Sequence, residues 1–273
     1  MPVELSPSPI DVSVWSWDPS VLLGLIALIG AYAYGAVTLR RREVWGKEIK
    51  NRHVAFFTAG ALALFIAIES PIDYIGENYL LWVHMVQHIL LAMVAPPLIL
   101  LGIPRRMIAW TLDLLRIGPV VKFVTHPVLA FIAFNTALIA WHVPALYEAA
   151  LRDPMIHILQ HMIFISTGFL SWYPVIDPAK QHARFIPLAQ IVYLFLFVIP
   201  SGVIGAVFAF AQVPIYAYYA GVPRLWSLTV LDDQALAGAI MWVPGWAIYF
   251  VALSIVFAAW MKREEADAER AAR

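Results

Sequence analysis

Five histidines carry the chemical interest of this sequence. His84 and His88 stand four residues apart, as do His157 and His161, and His142 sits in the stretch Trp141-His142-Val143-Pro144. Residues four apart on a helix share one face, with Cβ atoms about 5 to 6 Å apart, so each His-x-x-x-His pair can close on one metal ion. Neutral imidazole is the ligating form, so such binding weakens as the pH falls below ~6.5. Carboxylates stand close by in sequence: Glu69 and Asp73 before the first pair, Asp232 and Asp233 further on. Gln87 and Gln160 lie inside the two pairs, as donors that fix imidazole tautomers or as interhelical hydrogen-bonding groups. The chain has no cysteine, so a metal must be held by His, Met, carboxylate or backbone oxygen. Imidazole with carboxylate suits copper, zinc and iron alike. Met85, Met155, Met162 and Met241 tilt the choice toward copper(I), although Met in a membrane helix more often simply packs. The alternatives are haem held by two histidines from different helices, and an outer polar belt with no ligand at all.

The elements that position these residues are membrane helices. Of 273 residues, 62% are hydrophobic and 13% charged, against roughly 45 to 50% and about 25% in soluble domains. The net charge is zero, which together with the apolar runs argues against nucleic acid as a partner. A helix needs about 20 apolar residues to cross the bilayer. Seven stretches approach that: 20–39, 54–69, 80–101, 127–141, 155–175, 186–210 and 235–261. The second and fourth are short. Pro96 and Pro97 should break or bend the third, and Pro200, Ser201, Gly202 and Gly205 mark a kink or thin point in the sixth.

Lys and Arg collect on the cytoplasmic side of a membrane. An outside N-terminus puts Arg40, Arg41, Arg42, Lys47, Lys50, Arg52, Arg105, Arg106, Arg116, Lys122, Lys180, Arg184, Lys262, Arg263, Arg270 and Arg273 inside, and only Arg152 and Arg224 outside. This 16 to 2 split supports seven spans with a cytoplasmic C-terminus. It also places the five histidines at the outer face. The expected architecture is therefore an all-α, polytopic seven-helix bundle forming one domain over 1–273, with an outer segment 1–19 and a solvated cytoplasmic tail 262–273. The first 18 residues contain Glu4, Asp11 and Asp18 but no Lys or Arg, so they lack the basic region of a cleavable signal peptide, and insertion falls to the first helix.

An offset of 73 residues aligns the chain with itself. It pairs His53 with His126, Pro71 with Pro144, Tyr74 with Tyr147, His84 with His157, Gln87 with Gln160 and His88 with His161, without a gap. The second and third spans then repeat as the fourth and fifth, a parallel repeat of the kind some transporters use. Glu69 takes the place of His142. If the last two spans form a third unit, Asp233 and Gln234 fall where Gln160 and His161 stand. His53, His126 and His182 sit near the cytoplasmic side, as interfacial residues or as a second metal site.

The motifs Ser70-Pro71-Ile72-Asp73, His84 to His88, Ala95-Pro96-Pro97-Leu98, Gly102-Ile103-Pro104, His126-Pro127, Trp141 to Tyr147, His157 to His161, Trp172-Tyr173-Pro174 and Asp233-Gln234 with Gly238 and Met241-Trp242 occur in order. Over residues 55–260 the chain thereby resembles the CtaG-type cytochrome c oxidase assembly factors. The resemblance implies a multi-pass protein of the cell (inner or plasma) membrane, needed for maturation of haem-copper oxidases. It would help copper reach the oxidase subunit that carries the buried copper centre, with a soluble outer-face copper donor as a further partner. An unrelated single-span copper chaperone shares the name but ligates through cysteines, so its mechanism does not carry over. The expected role is a non-catalytic metallochaperone. A bis-histidine cytochrome and a metal-dependent membrane oxidoreductase, with Asp233 or Glu69 moving protons, are the alternatives.

Overall fold

The computed structural model describes residues 12–41, 49–182 and 185–272. Glu4 and Asp11 of the N-terminal segment, and Arg42, Lys47, Arg184 and Arg273 of the charge count, lie outside them. The described residues are helical, with no strand among them. In order the helices are α1 (Pro19–Arg41), α2 (Asn51–Glu69), α3 (Pro71–Asn78), α4 (Leu81–Gly102), α5 (Arg105–Leu115), α6 (Gly118–Val124), α7 (Pro127–Trp141), α8 (Pro144–Arg152), α9 (Pro154–Ile176), α10 (Pro187–Phe210), α11 (Ala217–Ala220) and α12 (Val230–Ala271). Six of them begin on a proline. That position needs no backbone N–H and suits the fixed proline φ, so much of the punctuation is written by residue type.

Five helices are long and apolar enough to cross a membrane: α1 over residues 19–38, α2, α4, α10 and α12. The pair α6 and α7, bent by 61°, passes as a sixth if it is one broken span. The remaining stretch of the seven expected is α9, which has 23 residues. Its histidines and Gln160 hold its hydropathy below that of the others. Polar chemistry thus weakens the span signal of the helix that carries it.

The helix directions follow from contacts between their ends. Ser16 N donates to Glu69 O (2.9 Å), joining the start of α1 to the end of α2. The Tyr32 hydroxyl reaches Gly102 O (3.2 Å) at the opposite end of the bundle. His84 and His88 open α4, His142 follows α7, and His157 and His161 open α9. All five therefore lie at one end of the bundle.

The axis of the bundle is α4, packed against α2, α3, α9 and α12. It is the most buried of the five candidate spans, at 61% of its apolar window, against 6% for α1. Pro96 and Pro97 do not interrupt it. A π turn over Leu90–Val94 precedes them, and the extra residue in that turn accommodates backbone that prolines cannot bond. Neither does α10 end at Pro200. Its thin point is a close approach, where Gly205 faces Gly238 of α12 so tightly that a Cβ on Gly238 would stand 2.4 Å from the Gly205 carbonyl oxygen. α12 runs on without a break for 42 residues, about 63 Å at 1.5 Å per residue. That exceeds a hydrocarbon core of ~30 Å, so the segment after Met261 is continuous helix.

Candidate metal centre

The two histidine pairs face each other. His84 Nε2 lies 2.8 Å from His88 Nε2. The His157 and His161 rings are 4.0 Å apart by centroids, and His84 is 5.4 Å from His157 and 6.4 Å from His161. His88 is 5.8 Å from His161 and 6.4 Å from His142. One donor atom each from His84, His88 and His161 lie within 4.8 Å of one another, the span a single ion can bridge. All five imidazoles are more than nine-tenths buried.

Their partners fix which nitrogen is free. The Tyr219 hydroxyl donates its only proton to Gly76 O (2.7 Å). It can therefore only accept from His84 Nδ1, 3.2 Å away, and His84 Nε2 keeps its lone pair. His142 Nδ1 faces the Leu138 carbonyl at 2.7 Å, which accepts only, so His142 Nε2 is likewise unprotonated. The Glu77 carboxylate takes His157 Nδ1. His142 Nε2, His157 Nε2, His161 Nε2 and His88 Nδ1 are buried without a hydrogen-bond partner. An unpartnered buried polar group costs about 1 to 3 kcal/mol, and several in one cluster mark a place shaped for something else.

The cluster is held by elements that sequence spacing does not connect. Asp233, fully buried, accepts from Leu81 N (3.1 Å) and Trp82 N (3.0 Å), capping the helix that bears His84 and His88. Arg224 pairs with the same carboxylate at 2.9 Å. Gly76 brings α3 against His84: a Cβ there would stand 3.0 Å from His84 Cα. Tyr147, also fully buried, lies 5.3 Å from the His84 ring and stacks on Tyr216 at 3.9 Å.

The other sequence candidates divide. Met85 and Met241 line a small cavity of about 30 Å³ together with Met93, His88 and His142; Met155 and Met162 are exposed on the outside of α9. Gln87 donates to Ala67 O (2.9 Å) and Asp73 Oδ1 (2.6 Å), facing α2 and α3. Gln160 is buried with neither amide atom partnered. Glu69 turns toward α1, accepting from Asp18 N (3.0 Å), and Asp232 is exposed, pairing with Thr229 in a capping box. Neither is tied to a histidine. Asp73 lies on α3, and its burial, with the neighbouring Glu77 charge, pushes its carboxyl up to about 7. At the opposite end, His126 and His182 line one cleft with Lys122, while His53 accepts from Lys50 N at the start of α2.

Glu77, Met93, Tyr147 and Tyr219 were not singled out as site residues by the sequence. For Glu77 a signal exists: it lies on the same short segment as Asp73, one helical turn further on.

The sequence profile of the family described as cytochrome c oxidase caa3 assembly factor (Caa3_CtaG) matches residues 30–263. An uncharacterized protein of Mycobacterium leprae is 26% identical over 281 residues, covering 94% of this chain and 41% of that protein. Uncharacterized proteins of Mycobacterium bovis and Mycobacterium tuberculosis are each 26% identical over 258 residues, covering 85% of this chain and 37% of theirs. The chain thus spans about two fifths of the length of these curated relatives. No solved structure matches it.

Proposed function

The chain belongs to the cytochrome c oxidase caa3 assembly factor family, and we propose that it serves oxidase assembly as a membrane-held copper chaperone, binding the ion at the five-histidine centre and releasing it to the oxidase subunit with the buried copper site. The observation that carries this reading is the set of fixed tautomers. His84, His142 and His157 each have Nδ1 engaged by an oxygen acceptor, the arrangement that orients Nε2 toward a metal and raises its basicity.

Copper is favoured over zinc by the thioethers of Met85, Met93 and Met241 on the cavity beside His88 and His142, because soft sulfur suits copper(I). The packing argues against haem: imidazoles 4.0 to 6.4 Å apart, beside a cavity of about 30 Å³, leave no slot for a porphyrin. The charge count supports an outward orientation of this end in a seven-span bundle, where a soluble donor would reach it. The matching order of α2, α3, α4 and α7, α8, α9, with prolines 71 and 144 opening the short helices, supports a duplicated helix pair as the origin of the two histidine pairs.

The test is metal analysis of purified wild type beside a His88→Ala, His161→Ala double variant, with circular dichroism as the folding check. The variant should lose its bound copper while remaining helical. Unchanged copper content would sink the shared site.

A further inference from the structure

A cleft of about 390 Å³ opens at the histidine end, between the start of α1, α3 and the junction of α8 and α9. Asp18, Asp73 and Glu77 line it. Arg152, the one Lys or Arg lining it among the described residues, is occupied by Glu148 at 3.0 Å and lies over the Tyr218 ring. His157 and His161 line it too, both more than nine-tenths buried, each with Nε2 unpartnered. His161 is also one of the three residues whose donor atoms converge with those of His84 and His88. The cleft and the buried centre therefore share a wall. A second cavity, beside His88 and His142, is mostly apolar and holds only about 30 Å³.

We propose that this cleft is the port by which a transition-metal cation reaches the centre, with Asp73 and Glu77 as its first oxygen ligands and His157 as its first imidazole. The inference rests on the metal reading of the centre. Glu77 acts twice in it: its charge draws the cation in, and its hold on His157 Nδ1 keeps Nε2 pointed at the incoming ion. The step is ligand exchange alone. The ion trades water or donor ligands for carboxylate oxygen, then oxygen for imidazole nitrogen, with no change of oxidation state. Clefts lined by one sign of charge raise cation on-rates by about 10- to 1000-fold, an effect that salt erodes.

The experiment follows copper(I) uptake by the purified full chain from a chromogenic chelator. Because the chain has no cysteine, Arg152→Cys offers a single handle at the mouth, and Glu265→Cys on the distant tail serves as the control. A bulky maleimide at position 152 should slow uptake at least about tenfold and leave the final copper content intact; the same label at 265 should do neither. Glu77→Gln should slow uptake about tenfold at low salt and flatten its salt dependence. Wild-type rates in the labelled and neutralised proteins would overturn the port while leaving the centre standing. If wild type instead binds no more copper than the His88→Ala, His161→Ala variant, the centre itself fails and the port falls with it.

Discussion

A histidine on an apolar helix says little until its second nitrogen is accounted for. Here the accounting depends on residues far away in sequence: Tyr219 stands 135 positions from His84, and Glu77 binds His157 across five intervening helices, α4 to α8. The two histidine pairs were legible because spacing four is a local property of a helix. The tautomers of His84 and His157 were not, because the oxygens that set them come from segments joining the spans. The methionines show the same limit, since all four looked equivalent beside histidines, yet only Met85 and Met241 face inward and Met93 joins them. Replacing Met93 and Met241 by leucine together nearly conserves volume and should cost under about 1.5 kcal/mol for each site. It should weaken copper(I) binding relative to zinc. Equal loss for both metals in competition titrations would remove the thioethers from the site. Asp73 offers a prediction in pH. Its folded pKa of about 7 lies above the unfolded value near 3.9, so its contribution is fully present below pH ~4 and is lost as the pH rises through about 7. Melting curves of wild type and Asp73→Asn in detergent should therefore shift in favour of the Asn variant between pH 4 and 8. A difference that stays flat would show that the carboxyl is not held protonated. In metal binding the sign is opposite: protons compete for imidazole, so copper should be released as pH falls below ~6.5.

Among the elements, α4 decides the geometry, and its start is held by a residue on α12, 152 positions away. From sequence, Asp232 and Asp233 were both possible ligands, and the register of a third repeat unit put Asp233 on the ring of polar residues. The fold separates them by one step of helix rotation: Asp232 stays exposed in the capping box of its own helix, and Asp233 turns inward to cap another. The two substitutions should accordingly differ. Asp232→Ala removes only the exposed N3 half of the Thr229 capping box and should change stability little. Asp233→Asn breaks a buried pair with Arg224 and should cost about 3 kcal/mol or more, loosening His84 and His88 and reducing copper content at once. Equal stability of the two variants in denaturant titrations would refute the capping role. Prolines were read with mixed success for a related reason. At a helix start their effect is local, and the boundaries at residues 71, 127 and 144 follow from it. Within α4 the outcome depended on the π turn at Leu90–Val94, which is set by packing against neighbouring helices and leaves no mark in composition.

At the scale of the whole molecule, the direction of delivery depends on which end of the bundle faces out. The contacts place the five histidines at one end and Arg105, Arg106 and Lys122 on helices beyond the other end of α4 and before α7. The count of 16 basic residues against 2 then predicts an outward-facing histidine end, because translocating each Lys or Arg is costly and the bias acts through short loops. The absence of cysteine makes the orientation directly measurable. Single substitutions Arg152→Cys, beside the histidine end, and Lys262→Cys, where α12 leaves its apolar stretch, are both exposed positions that alter one charge each out of 18 basic residues. In intact cells whose outer face is accessible, a membrane-impermeant maleimide should label position 152 and spare position 262, and permeabilisation should expose both. The reverse pattern would place the histidines on the cytoplasmic side, where a copper donor must be cytosolic, and would overturn delivery from the outer face even if the centre binds copper as proposed.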